Sequence, residues 1–401
     1  MGRLFRRERF GRPQVLASLL LLVFLAQCSW LVVRGAPGSS LDLVELNRLA
    51  RGMMMWKNRN PVAASDSPSD GAFDPNHSPL WYLIESAPLL ATSGLWSSTR
   101  PPTVRELRLL AALPQLAFGL LLGASIWYVA RRLFGNAGGY VALALHCFSP
   151  AIIRGSAIWS AEPEMGAAWG AFGAMFTAIA VAHTLYAPRE VILWNWRRIV
   201  LLGLSLALAI GSQFSLIIVL PAALAFMLYL APGRRIAATI IWAVACTIAA
   251  LLLFAAYFFQ PRAFEQGMAH ASLFTFSWKA LAMPQAWHQV LAQLGQSSPA
   301  LVIALPIGLI AYFCWSRARY FGNTAPLLIA VLCLAMALGS PHYPGLGFQL
   351  VAVPFLFVFI AGIAADWLET RHREIALAAV WGLLLANSAW NLWELLRAGR
   401  G

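Results

Sequence analysis

Long apolar runs, separated by short clusters of arginine or by two extended polar stretches, recur along the whole chain. Eleven are read, at 15–34, 107–130, 137–158, 163–186, 199–212, 214–231, 236–258, 299–315, 325–339, 347–367 and 375–396. Most approach the ~20 residues that carry an α-helix across a hydrocarbon core. The pattern predicts an all-α polytopic membrane protein of about 11 transmembrane helices, within a range of 10–12. The chain reads as a single membrane domain over 1–401, with helices 2–7 in 107–258 and helices 8–11 in 299–396. The short pair 199–212 and 214–231 also reads as one re-entrant element.

The first run follows Arg3-Leu-Phe-Arg-Arg-Glu-Arg9 and resembles a signal sequence, but no small-x-small cleavage site follows it. It is read as a retained anchor. Leu25-Ala-Gln-Cys28 resembles a lipoprotein box, yet Gln27 is bulkier than the small residue that box requires.

Topology follows from the basic residues. With the N-terminus inside, the cytoplasmic side receives Arg3, Arg6, Arg7, Arg9, Arg12, Arg131, Arg132, Arg189, Arg197, Arg198, Arg234, Arg235, Arg317, Arg319, Arg371 and Arg373, more than half of the 29 Lys and Arg. The two long polar stretches, 35–106 and 259–298, then become extracytoplasmic loops. A composition of 60% apolar and 11% charged residues excludes a soluble globular chain. The net charge of +13 is accounted for by the loop clusters, so no nucleic-acid partner is read from it. Cys28, Cys147, Cys246, Cys314 and Cys333 fall in or beside apolar runs without metal-ligand spacing and read as packing residues.

Chemistry concentrates in the first outer loop. Leu41–Trp56 has helical periodicity, Lys57–Asn76 is rich in Pro, Ser, Asp and Gly, and Ser78–Leu95 is apolar enough to lie along or dip into the interface. At 100° per residue Leu43, Leu46, Leu49, Ala50, Met53 and Met54 share one face, and Glu45, Arg48 and Arg51 the other. Asp42 falls on the apolar arc between Leu49 and Met53. Two readings compete. Ser39 caps the helix and Asp42 is a first-turn acid contributing about 0.3–1 kcal/mol. Alternatively, Asp42 is a carboxylate held against apolar surface, whose raised pKa suits proton abstraction.

The same water-facing side collects His77, Glu164 and His342, with Arg51, Arg154 and Lys279 as cations near the outer boundary. Glu164 also reads as a favourable acid behind Pro163 at a helix start, and His77 as a cap of the interfacial helix. In 259–298, Trp287 to Leu294 forms an amphipathic run. His270 and His288 there lack a zinc pattern, so neither metal nor cofactor is indicated.

Asp42-Leu-Val-Glu-Leu-Asn-Arg-Leu-Ala-Arg51-Gly-Met53, directly after the first span, resembles the opening Asp-Glu-x-x-Tyr…Arg-x-Met stretch of GT-C glycosyltransferases. The similar branch includes protein O-mannosyltransferases, lipid A aminoarabinose transferases and RgtA/B/C/D-like enzymes. Asp74-Pro-Asn-His77-Ser-Pro79-Leu80-Trp-Tyr82 is similar to that family's His/Lys-Pro-Pro-Leu-x-Tyr segment. Pro163-Glu164-Met165 stands where the family carries a second outer acid. Gly203–Pro221 resembles its Gly-rich segment, and His342-Tyr343 through Pro354 its Arg/His-Tyr…Pro-Ala stretch. Leu43, Ser78, Glu164 and Gln213 depart from the pattern, where relatives carry a second acid, a proline, an aspartate and, in some, a lysine.

The resemblance implies a GT-C-like fold and transfer of a sugar from a polyprenyl-phosphate donor to an acceptor hydroxyl on lipid, glycan or protein. The expected place is the outer face of the cytoplasmic (inner) membrane. It implies Asp42 as base with Glu164 beside it, and His77, Arg51, Arg154, Lys279 and His342 as ligands of donor phosphate or sugar. Two alternatives stand beside it. One is a catalytically silent scaffold of the same fold. The other is a secondary transporter, which calls for repeated halves and mid-span charge, where this chain offers only His146 and His183.

Overall fold

The computed structural model describes residues 12–34, 43–61, 73–95, 103–157, 163–186, 196–273, 276–339 and 347–398. Among them the regular structure is helical: α1 (Arg12–Arg34), α2 (Leu43–Asn58), α3 (Pro79–Thr92), α4 (Val104–Cys147), α5 (Pro150–Ala157), α6 (Glu164–Thr184), α7 (Trp196–Ser212), α8 (Val219–Leu230), α9 (Arg235–Ala256), α10 (Pro261–His270), α11 (Trp278–Leu281), α12 (Pro284–Ser297), α13 (Pro299–Cys314), α14 (Phe321–Gly339), α15 (Gly347–Leu368) and α16 (Arg373–Ala398), with short 3-10 turns between some of them.

Among the described residues seven helices are long and apolar enough to cross a membrane, or eight if the bent pair α12–α13 counts as one span. Every one of the eleven apolar runs falls largely on helix, and the difference in number has local causes. The runs 107–130 and 137–158 share α4, which is interrupted at Gly135 by φ 73° and ψ −169°, a conformation open essentially to glycine alone. Beyond it the chain folds back, bringing the His146 imidazole Nε2 within 3.1 Å of the Gly119 carbonyl. α7 has 17 residues, about 26 Å of helix, just short of the hydrocarbon thickness. The run 214–231 opens with a 3-10 turn, Phe214–Ile218, and α12 meets α13 at 111°.

The contacts divide the chain into two compact units. One holds residues 1–38, 116–158 and 277–401. Here two asparagines of α16 serve the backbone where neighbouring helices break. Asn387 donates to the Phe148 carbonyl (3.0 Å) and accepts from the Ala300 N–H (3.2 Å). Asn391 donates to Gln27, which in turn donates to the Cys147 carbonyl. Of the five free cysteines, Cys28, Cys147 and Cys333 are buried and Cys246 is half-buried, whereas Cys314 is exposed and so is not a packing residue. On α12 the buried positions Ala286, Val290, Leu294 and Ser297 lie on one stripe and Trp287 and Leu291 stay exposed, the amphipathic arrangement expected there.

The other unit holds residues 39–115 and 159–276. α6 and α7 meet through small residues: a Cβ on Gly170 would lie 2.5 Å from the Ala209 nitrogen, and one on Gly173 2.6 Å from the Ser205 hydroxyl. Such positions let helix backbones approach closely where apolar contact with lipid gives no net drive to associate. α2 docks on α3 in the same way. A Cβ on Gly52 would stand 2.4 Å from the Tyr82 carbonyl oxygen and 2.5 Å from the Ser86 hydroxyl.

That close approach fixes the rotation of α2 and corrects its expected apolar face. Leu49, Gly52 and Met55 are buried, whereas Ala50 and Met54 are exposed, and Arg48 and Arg51 are half-buried beside the docked stripe. Leu49 packs with Leu89 and Ala111, and Met55 with Tyr82, Leu83 and Ala256.

Between α7 and the turn that opens α8 the backbone is extended at Gln213, with φ −153° and ψ 109°, and buried. Its exposed hydrogen-bonding groups are met by the segment before α3. The Ser78 N–H and hydroxyl both donate to the Gly211 carbonyl, at 3.1 and 2.8 Å, and the Phe214 N–H donates to the Asn76 carbonyl at 3.0 Å. A further bond runs from the Ser272 N–H to the Pro75 carbonyl. Ser78 also caps α3, accepting from the Leu80 N–H, with Pro79 at the first helical position.

Gly52→Ala therefore destabilises the chain by about 1–3 kcal/mol despite the gain in helix propensity, because the obstacle is α3 backbone. Thermal unfolding in detergent measures this, with Gly94→Ala, which meets nothing within 4 Å, as the variant expected to leave stability unchanged.

Candidate functional site

The pinned segment 75–78 follows an aspartate that organises it. Asp74 Oδ1 accepts from the backbone N–H groups of Asn76 (2.8 Å) and His77 (3.3 Å), the turn-forming arrangement that Asp adopts ahead of a proline. Its Oδ2 accepts from His77 Nδ1 at 3.0 Å and from the Tyr82 hydroxyl at 2.5 Å. Tyr82 reaches it because Pro79 and Ser78 start α3 at once, placing residue 82 one turn in. Burial alone would raise the Asp74 pKa, but the His77 bond and charge, the Tyr82 hydroxyl and the Asn76 N–H outweigh it. The carboxyl is held well below its ordinary range and is ionised at neutral pH. Burial, and then the Asp74 charge, push the Tyr82 phenol up, so it stays a donor.

An ionised carboxylate only accepts, so the proton between it and His77 sits on Nδ1. Nε2 is left as the free ring position, bonded to none of the described residues, on a side chain about nine-tenths buried. α2 supplies cations. The Arg51 guanidinium carbon lies 5.7 Å from the Tyr82 ring centroid, and the charges of Arg51 and Arg48 are both felt by the Tyr82 hydroxyl. Phe73 packs against Tyr257 and His270, with ring centroids 6.2 and 6.3 Å away, closing the cluster on another side. Asp74, His77, Tyr82, Arg48 and Arg51 thus form one partly buried group with an excess of positive charge, suited to an anion and to hydroxyl-bearing ligands.

Of the residues singled out from the sequence, His77 and Arg51 are brought together here, joined through Asp74 and Tyr82. Glu164 belongs to the same compact unit, half-buried as the first residue of α6, behind Pro163, whose carbonyl accepts from the Ala167 N–H. Arg154 and Lys279 belong to the other unit. Arg154 on α5 is half-exposed and ion-paired with Glu394 of α16, and Lys279 is exposed on the four-residue α11. Asp42, the cap Ser39 and His342 lie outside the described residues. Asp74 and Tyr82 were quoted from the sequence only as part of a motif, without roles. The signal for Asp74 was its place before proline and three residues before histidine. Among the described residues no group of three or more His, Cys, Asp or Glu could hold a metal ion.

Comparison with known proteins follows the same outline. Residues 106–258 match the family model described as dolichyl-phosphate-mannose-protein mannosyltransferase. ArnT from Cupriavidus metallidurans, in its apo crystal structure, is similar over 92% of this chain and 63% of its own, with a TM-score of 0.64 and 14% identity. The archaeal oligosaccharyltransferase AglB from Archaeoglobus fulgidus, in complex with an inhibitory peptide and a dolichol-phosphate, is similar over 96% of this chain and 56% of its own, with a TM-score of 0.60 and 12% identity. The chain spans less than two thirds of either structure. No curated protein matches by sequence. The fold is that of the GT-C glycosyltransferases, as the motif order implied.

Tyr82→Phe leaves Asp74 Oδ2 with His77 alone and is expected to lower stability by about 1–3 kcal/mol, read as a lower unfolding temperature in detergent. The pH dependence has a definite sign. A carboxylate whose folded pKa is depressed stabilises the fold above its unfolded value, here 3.8, and loses that contribution as pH falls towards the folded one. Between about pH 4 and 2 the unfolding temperature therefore drops more steeply for the wild type than for Asp74→Asn.

Proposed function

We propose that this protein is a membrane glycosyltransferase that moves a sugar from a polyprenyl-phosphate donor to an acceptor hydroxyl on the extracytoplasmic side of the cytoplasmic membrane. The observation that carries the reading is the cluster of His77 and Arg51, assembled by Asp74 and Tyr82 in a chain of GT-C fold. The neighbour whose structure includes a dolichol-phosphate, and the lipid-phosphate donor named in the matching family description, support the donor class.

In this reading the lipid phosphate is already a good leaving group, so the site needs cations for it and a base for the acceptor. The Asp42 carboxylate takes the acceptor O–H proton. The acceptor oxygen attacks the anomeric carbon from the face opposite the lipid phosphate, the bond from that carbon to the phosphate oxygen breaks, and configuration inverts. The electron pair leaves with polyprenyl phosphate, whose charge His77 and Arg51 neutralise. Glu164 orients the acceptor. Arg154, which is ion-paired with Glu394 in the other unit, and Lys279 of that unit enter no step. Membrane lipid surrounds the spans, and the mechanism draws on no metal or cofactor.

Purified full-length protein in detergent, offered a panel of polyprenyl-phosphate sugars with hydroxyl acceptors, is expected to release lipid phosphate with at least one donor. Asp42→Asn is expected to lower the rate by about 10²–10⁴-fold with folding unchanged. No turnover with any donor contradicts the proposal and favours a silent scaffold. Uptake of substrate into sealed vesicles would favour a transporter.

A further inference from the structure

The mechanism above uses His77 as a phosphate ligand and leaves Asp74 without a role, although Asp74 makes more hydrogen bonds than any other group in the cluster. We infer that Asp74 is the positioning residue of this site: it holds His77 by Nδ1, so that Nε2 alone, as an imidazolium N–H, meets the phosphate of the lipid carrier. This rests on the reading of His77 as a donor ligand and extends it to the group that sets its orientation and charge.

Geometry carries the assignment. The carboxylate is fixed at both oxygens, by two backbone N–H groups on Oδ1 and by Tyr82 and His77 on Oδ2, so it cannot swing to follow a ligand. The backbone that bears His77 is itself held on either side by the Asn76 and Ser78 bonds to the α7–α8 break. With Nδ1 committed, the imidazole has one orientation and one working nitrogen. A phosphate oxygen at Nε2 favours the protonated ring, and the Asp74 charge balances it from the other side, the arrangement in which a charge-assisted hydrogen bond is strongest. The charged and titratable groups around the pair are Arg48 and Arg51 on α2, Tyr82 on α3, Tyr257 after α9 and His270 on α10.

Asp74→Asn is the informative variant. Asn retains an Oδ1 acceptor for the Asn76 and His77 N–H groups and so keeps the turn, while removing the charge that faces Nδ1. In the full chain in detergent, with ¹⁵N-labelled histidine and His77→Gln used to assign the signal among the seven histidines, the neutral His77 ring is expected to carry its proton on Nδ1 in the wild type and on Nε2 in Asp74→Asn, where the amide faces Nδ1 with a donor. Undecaprenyl monophosphate is the binding probe. Its affinity at pH 7 is expected to fall on the order of tenfold in Asp74→Asn and in His77→Gln alike, with little further loss in the double variant. Additive losses, an unchanged His77 tautomer, or wild-type protein that does not bind undecaprenyl monophosphate would each overturn the assignment. Wild-type protein that binds the probe and shows the Nδ1-protonated tautomer but transfers no sugar sinks the transfer reading and leaves this one standing.

Discussion

At Gln213 the backbone leaves helical geometry inside a buried setting, and a helix end that opens there exposes N–H and C=O groups that water does not reach. Each such group left unpaired costs about 1–3 kcal/mol on protein scales, more in hydrocarbon. The chain answers with the segment 76–78, whose backbone and Ser78 hydroxyl supply three hydrogen bonds to Gly211 and Phe214. The same serine caps α3, so the entry of one helix and the interruption of another are settled by neighbouring groups. A long polar loop, free to wander on composition alone, is thereby fixed where it carries its histidine.

The consequence for chemistry is pre-organisation. Asp74 sits immediately before the pinned residues and is oriented by the N–H groups of Asn76 and His77. Tyr82 reaches it from the first turn of α3, and Arg51 reaches Tyr82 because Gly52 lets α2 lie against α3. The distances among these side chains follow from backbone contacts made elsewhere, and rotamer freedom adds little to them. Cations and donors held in this way lose little entropy when an anion arrives.

Much of this was legible in the sequence. Apolar runs near 20 residues gave the helices and the periodicity after residue 41 gave α2, whereas the cap of α3, read as His77, is Ser78. What periodicity misses is contact between backbones. The apolar arc placed Ala50 and Met54 inward, but the clearance of Gly52 against Tyr82 rotates the helix away from them, a constraint visible only with α3 in place. Gly135 looked like one glycine among many, and its positive φ alone turns α4 back on itself. In the site, His77 and Arg51 stood out by residue type. Asp74 did not, since an aspartate before proline in a polar stretch has the composition of any turn, and its value lies in reaching a tyrosine eight residues on.

Hydrogen–deuterium exchange of the full chain in detergent tests the pinning of the loop most directly, read on peptides covering residues 74–82 and 211–216. If the account holds, the Ser78 and Phe214 amides exchange as slowly as those within α7, and Ser78→Ala accelerates both peptides together. Rapid exchange of residues 74–82 in the wild type, with 211–216 protected independently of it, would contradict it.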